Sequence, residues 1–149
     1  MPGRRANVRC DVVRPVMTLS KSRYLKARMV YVLRADRPVK YQKDRSRIVY
    51  IGETGKGPKR PAGSMARMAK EAFNKLHGVR QIDVHAVTCR GRQHVRTWEL
   101  LERAFLAVFK DIYGEVPRYN LQGKGKRFVL DDISDFNPKR VKNILSRLG

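Results

Sequence analysis

Two short runs of β-branched and aromatic residues, RMVYVLRA (Arg28–Ala35) and RIVYIGE (Arg47–Glu53), flank the polar stretch DRPVKYQKDRS. Side chains of this kind fit a pleated, half-buried surface, so both runs read as strands. Strands this close, joined by an irregular polar loop, most simply form an antiparallel hairpin. A lone hairpin is barely stable in water, so whatever follows must cover it.

Helical spacing supplies the cover. Ala62, Met65, Ala66, Ala69, Ala72, Phe73 and Leu76 recur at helical intervals, and Gly78 is a natural stop. Pro58 and Pro61 confine the start, since proline suits a first turn and not a helix interior. QIDVHAVTC (Gln81–Cys89) reads as a third strand. Thr97 is the expected N-cap of a long helix through Tyr113, which Gly114 and Pro117 end. Residues 118–136 show no clear pattern. The tail NPKRVKNILSRLG has Asn137 as N-cap and Pro138 in the first turn, with Val141, Ile144, Leu145 and Leu148 on one face. The expected fold is α+β: a small three-stranded mixed or antiparallel sheet flanked by helices, with a basic C-terminal helix.

IVYIGETGKGPKR (Ile48–Arg60) looks at first like a phosphate-cradling loop. A P-loop, however, requires G-x-x-x-x-G-K-[ST]. Counted from Gly52, the second glycine is Gly57, and Pro58 and Lys59 stand where Lys and Ser/Thr belong. Proline brings neither an N–H nor a charge there. A nucleotide pocket is therefore excluded, and the stretch needs another role.

Charge indicates the partner. Among 149 residues, 34 Lys and Arg oppose 13 Asp and Glu, a formal net charge of +21. A compact domain with that excess repels itself and attracts polyanions, of which nucleic acid is the usual one. No amphipathic anchor or apolar span accompanies the charge, so no membrane partner is expected. MPGRRANVRC is not followed by an apolar signal-peptide core, and a cytoplasmic location is expected. Cys10 and Cys89 lack metal-type spacing and read as plain thiols, while His77, His85 and His94 are too scattered for a zinc site.

Glu102 is the informative acid. At about 100° per residue, Trp98, Leu101, Phe105, Val108, Phe109 and Ile112 share an arc of roughly 100°, with Glu102 at its margin. A carboxylate there is partly desolvated and needs a cation or donors. A salt bridge to one of the many basic residues would satisfy it, as would a functional role. Glu99 falls further round, toward solvent. Tyr31 and Tyr50 occupy matching places on the two hairpin strands, where each alone would read as a cross-strand tyrosine. Arg60 and Arg67 follow the second strand, and Asn120 in RYNLQG could be a turn residue.

Taken together and in order, these residues resemble the GIY-YIG nuclease family. The matching elements are VY at Val30–Tyr31, YIG at Tyr50–Gly52, Arg60 ten places after the YIG tyrosine, Glu102 in LERAFL, and Asn120 in PRYN. The resemblance spans roughly residues 28–123 and implies a nuclease domain there. Residues 1–27 form a basic lead-in, and 124–149 a basic helical tail packed on the same domain. Met29 replaces the glycine of the first motif, and Ser64 stands where many relatives carry a histidine. Arg60 has the family spacing but precedes Pro61; Arg67 sits further inside the helix.

The resemblance implies an endonuclease hydrolysing phosphodiester bonds, in DNA rather than RNA. Glu102 would hold one divalent cation, magnesium or manganese. Arg60 or Arg67 would neutralise the phosphate, Tyr31 or Tyr50 would orient or deprotonate the water, and Asn120 would brace the site. Gly52, Lys56, Lys59, Lys139 and Arg140 are the expected nucleic-acid contacts, with Gly52 leaving room for a close approach. The competing readings are a non-catalytic basic nucleic-acid-binding protein on a nuclease-like fold and an RNA-associated protein. Neither needs the full set of two tyrosines, arginine, glutamate and asparagine.

Overall fold

A computed structural model of the chain describes residues 28–57, 59–90, 94–120 and 135–149. The lead-in 1–27 and the first part of the tail, 124–134, lie outside them. Six elements follow in order: β1 (Met29–Lys40), β2 (Arg45–Thr54), α1 (Lys59–Lys75), β3 (Ile82–Val87), α2 (Thr97–Tyr113) and α3 (Pro138–Leu148).

The strands form one sheet in the order β2-β1-β3. Both pairings are antiparallel, so the expectation of a mixed sheet narrows to a fully antiparallel one. β1 is central, and from Met29 to Leu33 no residue is more than 1% exposed. Burial on both faces explains why VYVL carries no polar residue: α1 covers the Tyr31 face, and α2, backed by α3, covers the other.

The polar stretch 36–46 is not an irregular loop, since its two ends belong to β1 and β2. β1 and β2 remain paired as far as Val39↔Ser46 and Lys40↔Arg45, with register shifts after Leu33 and between Arg34 and Val39. Those shifts place Pro38, which has no N–H to give, where the ladder is already interrupted. The bulged segment is tied elsewhere: Asp36 N donates to Gln81 O at 3.0 Å, and the Asp36 carboxylate accepts from Arg80 N. The hairpin closes in a short turn with Tyr41 N donating to Asp44 O.

In α1 the inward residues are Pro61, Ser64, Met68, Ala69 and Ala72. Ala62 and Ala66 are exposed and Phe73 is 38% exposed, contrary to the face expected from apolar spacing. Ser64 takes the inner position because its hydroxyl meets that of Tyr31.

α2 is buried more widely than a single stripe. Leu101, Ala104, Phe105, Leu106, Ala107, Val108 and Phe109 are all buried, because α3 packs Val141 and Leu145 against the flank that the sheet leaves open. Thr97 is not the N-cap. It is the first helical residue and is buried, while Arg96 occupies the cap position without a side-chain cap bond. Gly114 ends the helix in the left-handed conformation, its N–H donating to Lys110 O. In α3 the Asn137 side chain does cap, accepting from the N–H groups of Lys139 and Arg140.

Candidate active site

Tyr31 and Tyr50 share one sheet face but are diagonal, not directly opposed. Tyr31 pairs with Gly52, and Tyr50 with Leu33. Their ring centroids are 6.0 Å apart with planes tilted by 36°. Gly52 makes this possible. A Cβ there would lie 2.7 Å from Tyr31 Cζ and Oη and from Tyr50 Cε1, closer than any real contact. Gly52 is itself buried, so the space its missing side chain leaves is filled by the two tyrosine rings and is not open to a phosphate.

Tyr31 is wholly buried and its hydroxyl lies 2.8 Å from Ser64 Oγ. Burial pushes its pKa up to about 12, the nearby Tyr50 adds to the rise, and Ser64 and the Arg60 charge offset part of it. Tyr41, which donates to Ile48 O at 2.6 Å, is also raised to about 12, chiefly by burial. Both phenols stay neutral in the folded protein at pH 11, where an unfolded chain has lost those protons. Folding stability should therefore be intact below about pH 10 and decline as the pH rises toward about 12. Urea denaturation across that window, with Tyr41→Phe flattening the slope by one proton, checks this.

Arg60, in the first turn of α1, turns back to β2. Its Nη1 donates to Glu53 Oε1 at 2.9 Å, with 63% of the arginine side chain and 14% of the glutamate side chain exposed. Its charge is also felt at the Tyr31 hydroxyl. Arg67 lies about two turns further along α1 and is exposed. Arg60 is thus the arginine brought beside the tyrosines.

Asn120 is held against the outer edge of β2. Its Oδ1 accepts from Ile51 N at 2.9 Å and its Nδ2 donates to Ile51 O at 2.7 Å, as a neighbouring strand would. Tyr119 N donates to Val49 O beside it. The segment therefore satisfies the edge of β2 between Tyr50 and Gly52, which a simple turn residue would not do.

Glu102 is half-buried on α2. Trp98, one turn earlier, lies against Gly55 just past β2, where a Cβ would come within 3.3 Å of its ring. At the other end of the helix, Tyr113 O accepts from Lys43 N, next to the start of β2. α2 therefore runs antiparallel to β2. Four residues of helix rise about 6 Å, and two residues of strand span about the same, so the turn of α2 that carries Glu102 is at about the height of Gly52–Glu53, on the sheet face opposite the Tyr31 face.

Lys56, Lys59, Lys139 and Arg140 are all exposed. The first two are near Arg60 in the chain, while the other two stand at the start of α3. Two participants escaped the sequence reading. Ser64 was visible only as a missing histidine, although its position one turn after Arg60 puts it on the same helix margin. Glu53 directly follows the YIG run, and its alternation with Gly52 gave no hint that it reaches Arg60 across the turn.

Among the described residues, no three His, Cys, Asp or Glu side chains gather as a ligand set. No described helix is long and apolar enough to cross a membrane. Compared with protein families, with characterised proteins and with solved structures, the chain matches none.

Proposed function

We propose that the protein is a metal-dependent endonuclease of the GIY-YIG type, hydrolysing phosphodiester bonds in DNA. The observation that carries this reading is the convergence of Tyr31, Tyr50, Arg60 and Asn120 on one end of β2; Glu102 joins the set by the resemblance, from the half-buried face of α2. Structural packing alone does not require a phenol pair, an arginine and a side-chain amide clamp at one strand end. The net charge of +21 supplies the attraction for the polyanion.

Each side chain then has a task. Tyr50 is half-buried and meets the surface, so it would orient the attacking water, while buried Tyr31, tied to Ser64, fixes it from behind. Tyr50 would act by positioning that water, with neighbouring positive charge in support. Arg60 would donate to the phosphate oxygens as charge builds in the transition state, a geometry guanidinium matches. Asn120 keeps the Tyr50–Gly52 backbone in place through Ile51. One half-buried carboxylate suits a cation that keeps much of its water, such as magnesium, or manganese, which Glu102 would hold. When bound, that ion would offset charge on the phosphate and the leaving oxygen.

The arginines give the test. In magnesium-dependent nicking of supercoiled plasmid, Arg60→Gln should lower the rate by about a hundredfold or more, whereas Arg67→Gln should stay within about threefold of wild type. Equal losses from both would remove the basis for the proposed arrangement.

A further inference from the structure

The contact between Glu53 and Arg60 has a use beyond stability. Arg60 stands in the first turn of a 17-residue helix that has no acidic residue in that turn. Lys56 and Lys59, its near neighbours in the chain, are exposed. In so basic a neighbourhood Glu53 is the carboxylate that takes the guanidinium, at 2.9 Å, and its side chain is 14% exposed. A carboxylate and a phosphodiester present the same pair of anionic oxygens to an arginine fork. Glu53 is anchored by β2, whose Glu53↔Val30 pairing fixes its backbone, so the arginine is drawn to one place over the strand end.

We propose that Glu53 is a positioning residue. It holds the Arg60 guanidinium at the end of β2 in the free protein, and it gives that guanidinium up to a backbone phosphate when nucleic acid binds. This rests on the nuclease reading for the consequence to cleavage, but not for the exchange itself. Glu53 competes with the incoming phosphate, so binding is weaker than the bare cation would allow, and it prevents Arg60 from settling on a phosphate elsewhere along the backbone.

The exchange predicts a coupled pair. Binding of a fluorescein-labelled 20-base-pair duplex to the full chain, in EDTA so that nothing is cut, should be measured for wild type, Glu53→Gln, Arg60→Gln and the double variant. Glu53→Gln should tighten binding about two- to fivefold, the worth of one surface ion pair, and should leave affinity unchanged when Arg60 is already Gln. Equal tightening in both backgrounds would mean only that an acid repels DNA, and would overturn the proposal. So would no tightening at all, or no binding by the wild type. Glu53→Asp, which keeps the charge but shortens the reach, should fall between wild type and Glu53→Gln, and circular dichroism confirms that each variant is folded.

Cleavage of the same duplex in magnesium separates the two ideas. A lower turnover at saturating DNA with a lower KM for Glu53→Gln supports the positioning role, whereas unchanged turnover overturns it. If the wild type binds with the coupling described but never cuts, the nuclease reading fails while the Glu53–Arg60 exchange stands as a nucleic-acid contact.

Discussion

Replacing Glu102 by Gln should abolish magnesium-dependent nicking of plasmid DNA, a loss of about a thousandfold or more, while leaving salt-sensitive DNA binding nearly intact. The substitution keeps the size of the side chain and one oxygen but removes the charge that a divalent ion needs. Removing a single acid from a chain of net charge +21 should hardly alter attraction to the phosphate backbone. Rate and affinity therefore separate, which a folding defect would not allow. If both fall together and the melting temperature drops with them, Glu102 is a structural residue, half-buried on α2 for the sake of an ion pair.

The second large effect belongs to Gly52→Ala. A methyl group there would sit 2.7 Å from the rings of both Tyr31 and Tyr50. Tyr31 is wholly buried and joined to Ser64, so its ring has nowhere to retreat without disturbing α1. Overpacking of this kind costs about 1–3 kcal/mol, which for a domain of this size lowers Tm by several degrees. The displaced tyrosines should also lower any cleavage more than the stability loss alone accounts for. Thermal melts of the folded variant alongside its nicking rate measure both, and an unchanged Tm would show that the rings do not close over Gly52.

Much of this arrangement was legible from residue order. β-branched runs gave the three strands, helical spacing and proline placement gave α1 and α2, and the Asn137-Pro138 pair gave the start of α3. What escaped had physical causes. Residues 36–46 looked like a loop because they are polar, yet strand pairing uses backbone groups, and a bulge absorbs Pro38. Thr97 looked like a cap because threonine caps well, but it is buried inside the helix start. The wide burial of α2 depends on α3 packing beside it, a contact between segments far apart in the chain.

The candidate site was legible as a set of residues and not as a set of contacts. The order of Tyr31, Tyr50, Arg60, Glu102 and Asn120 could be read directly, and the matching places expected for the tyrosines became a diagonal pair set by Gly52. Spacing left Arg60 and Arg67 open; the turn after β2 brings Arg60 back to Glu53. Asn120 could have been any turn residue, and only the edge of β2 shows what its amide holds.

The central claim is tested most directly by incubating the purified wild-type chain with plasmid, branched and single-stranded DNA, and with RNA, in magnesium, in manganese and in EDTA. The expected result is nicking of DNA in either metal, none in EDTA, and weaker cutting of RNA. Tight, salt-sensitive binding with no cleavage of any substrate in any divalent metal would contradict it and leave a nucleic-acid-binding protein in its place.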